Sequence, residues 1–288
     1  MLANLPVTAL NRQAQDAAAR AAESAAVTVV DEFDMLRLRA VADLLGTIWG
    51  PSDHGAPIPA DLLRSISHAG CTVTAAYDKG GQVCGAAAAI VSPDKPSMYS
   101  LIAGVRPGLT DSGVGFALKQ HQRAWALARS IDTMTWTFDP LVSRNARFNL
   151  GKLGATASEY LPNFYGEMDD AINGLDDSDR LVAHWSLTSP RTIAASHNEP
   201  ESALMPDFTV TDVQRTGPDK EPALVAAGDS LWCRVPRDIV ALRAEKPAEA
   251  VAWRRSIRDI FGTALADGYI ARGMTRTGWY RLSKGENV

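Results

Sequence analysis

The sequence predicts a mixed α/β (α+β) fold, and three stretches carry that expectation. Thr135–Gly154, TWTFDPLVSRNARFNLGKLG, reads as a buried strand running into a short helix closed by glycine. Gly113-Val114-Gly115 reads as a glycine turn that opens a longer helix. Ahead of both, Cys71–Val105 reads as a meander of strands, with a hairpin signal at Lys79-Gly80-Gly81. Together they describe an open sheet with a ligand held at a helix N-terminus.

The elements follow in order. Residues 9–26 are Ala-rich with Gln, Asp, Arg and Glu, good helix composition with little apolar bulk. This predicts an N-terminal helical extension over 1–26. Val27–Val30 is a short strand. Met35–Trp49 places Leu36, Leu38, Val41, Leu44, Leu45 and Ile48 at roughly helical spacing. Gly50-Pro51-Ser52-Asp53 is a loop, and Pro59–Ala69 is a second short helix with Pro59 suited to its first turn.

Cys71–Tyr77, Gln82–Ser92 and Met98–Val105 form the meander. The run Gly85-Ala86-Ala87-Ala88-Ala89 has small side chains that let something approach the sheet, either a tightly packed helix or a ligand. Val114–Arg129 is a helix with Val114, Ala117, Leu118, His121, Trp125 and Ala128 on its apolar face. Lys119, Gln120, Gln122 and Arg123 are expected to face water.

Thr133–Phe138 is rich in β-formers, and Asp139-Pro140 ends it because the residue before proline is pushed from helical geometry. Ser143 is the expected cap of the next helix, and Gly154 its stop. Thr156–Leu161 and Leu181–Leu187 are strands. Residues 191–207 read as a linker. Beyond it, 208–288 forms a smaller α+β domain. It has strand-like segments at Phe208–Val213 and Ser230–Val235, a helix over Ala248–Ala266, and a hairpin within Tyr269–Leu282.

Composition narrows the function classes. The chain has 288 residues, 46% of them hydrophobic, so a sizeable core is affordable and wholesale disorder is not expected. A net charge of −4 argues against a nucleic-acid binder that works by broad phosphate neutralisation. Cys71, Cys84 and Cys233 show neither CxxC spacing nor a histidine pattern, so neither a disulfide framework nor a metal site is expected, and a cytoplasmic setting fits. No apolar run has the length of a membrane span.

Gly104–Gly115, GVRPGLTDSGVG, joins a strand to a helix. Amides at a helix start lack partners and favour an anion such as a pyrophosphate. An ordinary helix start capped by Asp111 or Ser112 is the competing reading.

The order of these units resembles the GNAT superfamily of acyl-CoA N-acyltransferases. VRPGLTDSGVGFALKQHQR, Val105–Arg123, is similar to that superfamily's pyrophosphate loop and following helix. WTFDPL, RNARFNL, KLG, Tyr160, NFYGEM and SDRLVAHW resemble a narrower branch of predicted superfamily acetyltransferases, some of which transfer acyl groups, including succinyl, to amino acids. The resemblance covers about 35–190 strongly. It extends more weakly through VPRDIVAL, WRRSIRDIF and Gly268-Tyr269.

The resemblance implies a GNAT-like domain over 27–190, with a mostly antiparallel sheet flanked by helices. Acyl-CoA, as acetyl-CoA or succinyl-CoA, would be the co-substrate, with no metal. It would lie in a V-shaped gap between the strands ending at Val105 and Phe138. Backbone groups of Ala103 and Val105 would pair with pantetheine, amides of Ser112, Gly113, Val114 and Gly115 would hold the pyrophosphate, and Asn145 would touch the pantetheine arm. A small-molecule amine would attack the thioester directly. No nucleic acid or membrane partner is implied. The C-terminal domain is left to cover the acceptor side of the cleft or to mediate homodimerisation.

Three positions depart from the family pattern. Thr110 stands where Gln or Arg opens the loop, and Asp111 where glycine is common, so a carboxylate faces the pyrophosphate. Leu150 occupies the place of the usual tyrosine proton donor. These positions favour an alternative, a non-catalytic GNAT-like protein that binds acyl-CoA or another small ligand. For catalysis the candidates are Tyr165 as proton donor and Asp139 at the strand's C-terminal end. A core tyrosine and a turn cap are their structural counterparts. Arg144 and Arg147 are candidates for a phosphate or carboxylate contact, Asp179-Arg180 reads as a structural pair, and His121 as a core histidine. His54 and Trp49 lie where superfamily acceptors enter.

Overall fold

The computed structural model describes residues 7–50, 57–166 and 176–285. In chain order the first elements are α1 (Val7–Ser24), β1 (Thr28–Asp31), α2 (Met35–Trp49), α3 (Ala60–His68), β2 (Thr72–Tyr77), β3 (Val83–Val91), β4 (Ser97–Val105), α4 (Val114–Leu127) and β5 (Thr133–Phe138). Then come α5 (Ser143–Ala146), β6 (Thr156–Leu161), β7 (Arg180–Ser186), α6 (Pro190–Ser196), β8 (Val213–Thr216), β9 (Pro222–Ala227) and β10 (Ser230–Arg234). The last are α7 (Ile239–Glu245), α8 (Pro247–Ala266), β11 (Tyr269–Met274) and β12 (Trp279–Lys284).

The chain divides into two compact units, residues 1–136 with 186–197, and residues 137–185 with 198–288. The division falls inside β5 and at the end of β7, whereas the composition at 191–207 suggests a linker there. That stretch opens as helix. Ser189 caps α6 by accepting the Thr192 N–H at 3.2 Å, and Ser196 accepts from the Gln13 side chain at 2.7 Å.

In the first unit, β1 to β4 form an antiparallel meander, with Val29 opposite Ala76, Ala75 opposite Ala86 and Ala87 opposite Ala103. β5 joins β4 in parallel, with Met98 opposite Met134. Helices α2 and α3 cover one face, where Leu38, Val41, Leu45 and Leu63 bury against Val73, Ala75, Ala86 and Ala88. Helix α4 covers the other, where Val114 and Leu118 meet Ala76 and Cys84. The small-residue run serves this packing: a Cβ on Gly85 would lie 2.7 Å from Val114 Cγ1.

The polar residues of α4 contradict the water-facing expectation. Lys119, Gln120, Gln122 and Arg123 are all buried. The cause is tertiary. α1 packs along α4, its Ala14, Ala17 and Ala21 buried, so α4 has cover on faces that an isolated amphipathic helix would expose. Arg123 donates to the Leu187 carbonyl at 2.8 Å and to Gln13 Oε1 at 2.9 Å.

In the second unit the strands run β7-β6-β11-β12-β10-β9-β8, each neighbouring pair antiparallel. α8 buries Trp253, Ile257, Ile260, Phe261 and Ala264, and Phe261 meets Tyr280 edge-on at 5.1 Å. The strand expected at Phe208–Val213 is a 3₁₀ turn, Val210–Asp212, followed by β8. β9 and α7 had no signal strong enough to be read: β9 is a short Ala-rich strand begun by proline, and α7 is a helix of only 7 residues.

Candidate functional site

The first unit's features converge on the end of β4. Parallel pairing with β5 covers Ser97, Met98 and Tyr99, opposite Thr133, Met134 and Thr135, and stops there. β4 continues to Val105, paired among the described residues only on its β3 side. Its register with β3 slips between Ala88, opposite Ile102, and Ala89, opposite Ser100, so Leu101 is a bulge residue. Leu101 and Ala103 are exposed. Thus β4 presents a free edge from Ser100 to Val105, broken by a bulge that takes one residue out of the ladder.

Directly after this edge the chain turns into α4. Gly108, Asp111 and Gly113 all take positive φ, at 87°, 64° and 93°. Glycine tolerates this freely and aspartate better than most residues. The N-cap of α4 is Gly113, which offers no side chain, so neither Asp111 nor Ser112 caps the helix as expected. Ser112 Oγ is spent elsewhere, donating to the Leu109 carbonyl at 2.6 Å. The amides of Gly113, Val114 and Gly115 have no acceptor among the described residues. Unsatisfied amides at the positive end of a 14-residue helix suit an anionic group. Asp111 is exposed beside them.

Gly104 shows how closely the other face is filled. A Cβ there would lie 2.7 Å from Ile48 Cδ1 and 2.9 Å from the Trp49 ring. Trp49 therefore packs on β4. His54 lies outside the described residues.

Ala103, Val105, Ser112, Gly113, Val114 and Gly115 thus belong to one strand edge and the turn that follows it. The other candidates, Asn145, Asp139 and Tyr165, belong to the second unit. Asn145 is exposed on α5. Ser143 is not the cap of that helix. The N-cap is Val142, because Asp139 Oδ1 accepts the Leu141 N–H at 2.9 Å and sets the turn itself. After Ala146 the helix widens to a π-helix over Arg147–Lys152, with the Leu153 N–H reaching the Phe148 carbonyl at 2.9 Å. Leu150 is fully buried there.

Asp139 is held in a buried ion cluster. Arg254 donates to both of its oxygens, Arg243 adds a contact at 2.8 Å, and both arginines also engage Asp176. Burial alone would raise its carboxyl, but the hydrogen bonds and charges of Arg254 and Arg243 hold it at about 2. A carboxylate so held takes no proton near neutral pH, which removes the physical basis for a base at this position. Tyr165 is half exposed, its hydroxyl 3.1 Å from that of Thr137, with the Arg180 guanidinium 5.1 Å from its ring centroid. Asp179 turns its carboxylate to Arg258 at 2.6 Å and to the Tyr160 hydroxyl at 2.6 Å, while Arg180 donates to the Asp179 backbone carbonyl.

Sequence reasoning missed one residue of this site, Lys119. Its ammonium donates to Ser100 Oγ at 2.8 Å, where β4 and β5 part, and sits 4.2 Å from the Trp136 ring centroid. Burial lowers its pKa to about 7. No periodicity signals this, since Lys119 lies on what reads as a solvated stripe. His121 is likewise not a core histidine. It is part-exposed and meets Asp31 at 3.3 Å in a cleft of about 360 Å³ lined also by Trp125 and the alanines of α1.

Among the described residues, no group of three or more His, Cys, Asp and Glu could hold a metal, and no helix is long and apolar enough to cross a membrane.

No protein-family model and no curated protein matches the chain. Solved structures to which it is similar include the ribosomal-protein-S18-alanine N-acetyltransferase from Escherichia coli, at 15% identity and TM-score 0.45, covering 56% of this chain and 94% of that one. A GNAT superfamily phosphinothricin acetyltransferase from Sinorhizobium meliloti, solved with AcCoA, matches at 15% identity and TM-score 0.45, over 55% and 87%. Aminoglycoside 6'-acetyltransferase type Ii matches at 17% identity and TM-score 0.44, over 56% and 97%.

Proposed function

We propose that this chain binds acyl-CoA, as acetyl-CoA or succinyl-CoA, and transfers the acyl group to the amine of a small molecule. One observation carries the reading: a strand edge left free where β4 and β5 stop pairing leads straight into a helix N-terminus without a side-chain cap. The free edge offers backbone groups of Ala103 and Val105 to the amides of pantetheine. The amides of Gly113, Val114 and Gly115 offer donors to a pyrophosphate. The bulge at Leu101 supplies backbone out of register with β3, against which the thioester oxygen gains charge as the amine attacks. As the amine attacks, a base or water takes its proton, the C–S bond breaks, and CoA departs as a thiolate, a fair leaving group that needs no obligatory proton donor.

The fully buried Leu150 favours a second reading, ligand binding without transfer. A thermal-shift titration with CoA tests the common part, and a flat response into the millimolar range would remove both readings. Release of free thiol from acetyl-CoA and succinyl-CoA across a panel of amines separates them.

A further inference from the structure

Lys119 is buried in the first unit, 3% exposed, with three N–H donors to place. Its partners among the described residues are Ser100 Oγ at 2.8 Å, the Met134 sulfur at 3.8 Å and the face of Trp136. None is ionised. Burial alone displaces its pKa, with no opposing carboxylate. The nearest cation along the helix, Arg123, is tied to Leu187 and Gln13 and supplies no anion. A buried lysine without a counter-charge is costly to keep charged. It becomes favourable once an anion arrives.

The position of this amine defines which anion can arrive. Ser100 is the first residue of β4 beyond its pairing with β5, and the neighbouring Leu101 is the bulge. From Val105, beside the α4 turn, to Ser100 the strand covers about 16 Å at roughly 3.3 Å per residue. A CoA thioester anchored at the turn and extended along the free edge of β4 brings its acyl group to this far end. There, among the described residues, the Lys119 amine lies against the Met134 sulfur at 3.8 Å and the Trp136 ring centroid at 4.2 Å, beside Ser100.

We propose that Lys119 selects the acyl donor: its amine receives the terminal carboxylate of a dicarboxylic acid monothioester on CoA, so the site prefers a succinyl-type group to an alkyl acyl group of equal length. The proposal rests on the acyl-CoA reading above and assigns its donor end. The carboxylate supplies the missing counter-charge, which draws a proton onto Lys119 on binding. Ser100 keeps the amine aimed at the parting of the strands.

The test is calorimetric titration of the full chain with succinyl-CoA, butyryl-CoA and CoA. It is run one pH unit above the Lys119 pKa, in two buffers of different ionisation enthalpy. The expected result is tighter binding of succinyl-CoA than of butyryl-CoA by roughly ten- to a hundredfold, with proton uptake for succinyl-CoA alone. K119M should erase that preference and the proton uptake together. The buffer comparison on the unaltered protein needs no variant to fold. Equal affinity for the two thioesters without proton uptake overturns the role of Lys119 and leaves the acyl-CoA reading standing. Failure of CoA and both thioesters to bind overturns that reading and this proposal with it.

Discussion

Arg254 grips Asp139 with both arms of its guanidinium, Nη1 to Oδ1 at 2.8 Å and Nη2 to Oδ2 at 2.9 Å, in the interior of the second unit. Arg243 and Asp176 close the cluster, so two cations face two anions. Such a group is weak as a source of net stability, but breaking it strands a buried charge. D139N should therefore cost about 3–5 kcal/mol in urea unfolding. Because the folded carboxyl sits at about 2, below its unfolded value, its contribution is present above roughly pH 4 and is lost as pH falls towards 2. D139N should lack that acid-limb loss. A variant within 1 kcal/mol of the parent protein, on the order of a surface change, would show that the cluster does not hold the unit.

Lys119 makes the opposite prediction. Its folded pKa, about 7, lies below its unfolded value of roughly 10.4. Between the two the unfolded chain binds more protons, so stability rises with pH across that window. The burial cost is full below about pH 7 and gone above about pH 10, changing by about 1.4 kcal/mol per pH unit between. K119M should be more stable than the parent protein near pH 7, with the difference closing by pH 10. A pH-independent difference would place the amine in water.

Gly104 tests how tightly α2 seals the back of the candidate strand. A methyl group there would press on Ile48 Cδ1 and the Trp49 ring, and two side chains must shift to admit it. G104A should cost about 1–2 kcal/mol in urea unfolding and alter Trp49 emission. An unchanged midpoint would mean that the helix end gives way freely.

On the proposed acyl-CoA reading, Asp111 sets a negative charge in the turn before α4, and it already holds a positive φ that asparagine also tolerates. D111N should tighten CoA binding by about two- to fivefold at low salt, with the gain shrinking as salt screens the pyrophosphate. Weaker binding by D111N would mean that the carboxylate contributes to the turn's shape more than it repels.

Strong local patterns made most of the elements legible. The spacing of Leu38, Val41 and Leu45 describes α2, and the β-formers of Thr133–Phe138 with the following Asp-Pro describe β5 and its end. The turn at Gly113 was legible because glycine there has a backbone reason. Elements with weak local preference were not: β9, α7 and the π-helical turn at Arg147–Lys152 depend on what packs against them.

The sequence by itself determined the mixed α/β class, the meander and the glycine turn before α4. Periodicity and backbone preference act over a few neighbouring residues, and those features need nothing more. Only the tertiary structure decided which polar residues lie inside. Lys119 and Arg123 read as a solvated stripe until α1 covers α4. Asp139 reads as an available carboxylate until Arg243 and Arg254, far along the chain, close on it. Burial and charge pairing are set by segments distant in sequence, and they decide which groups can do chemistry.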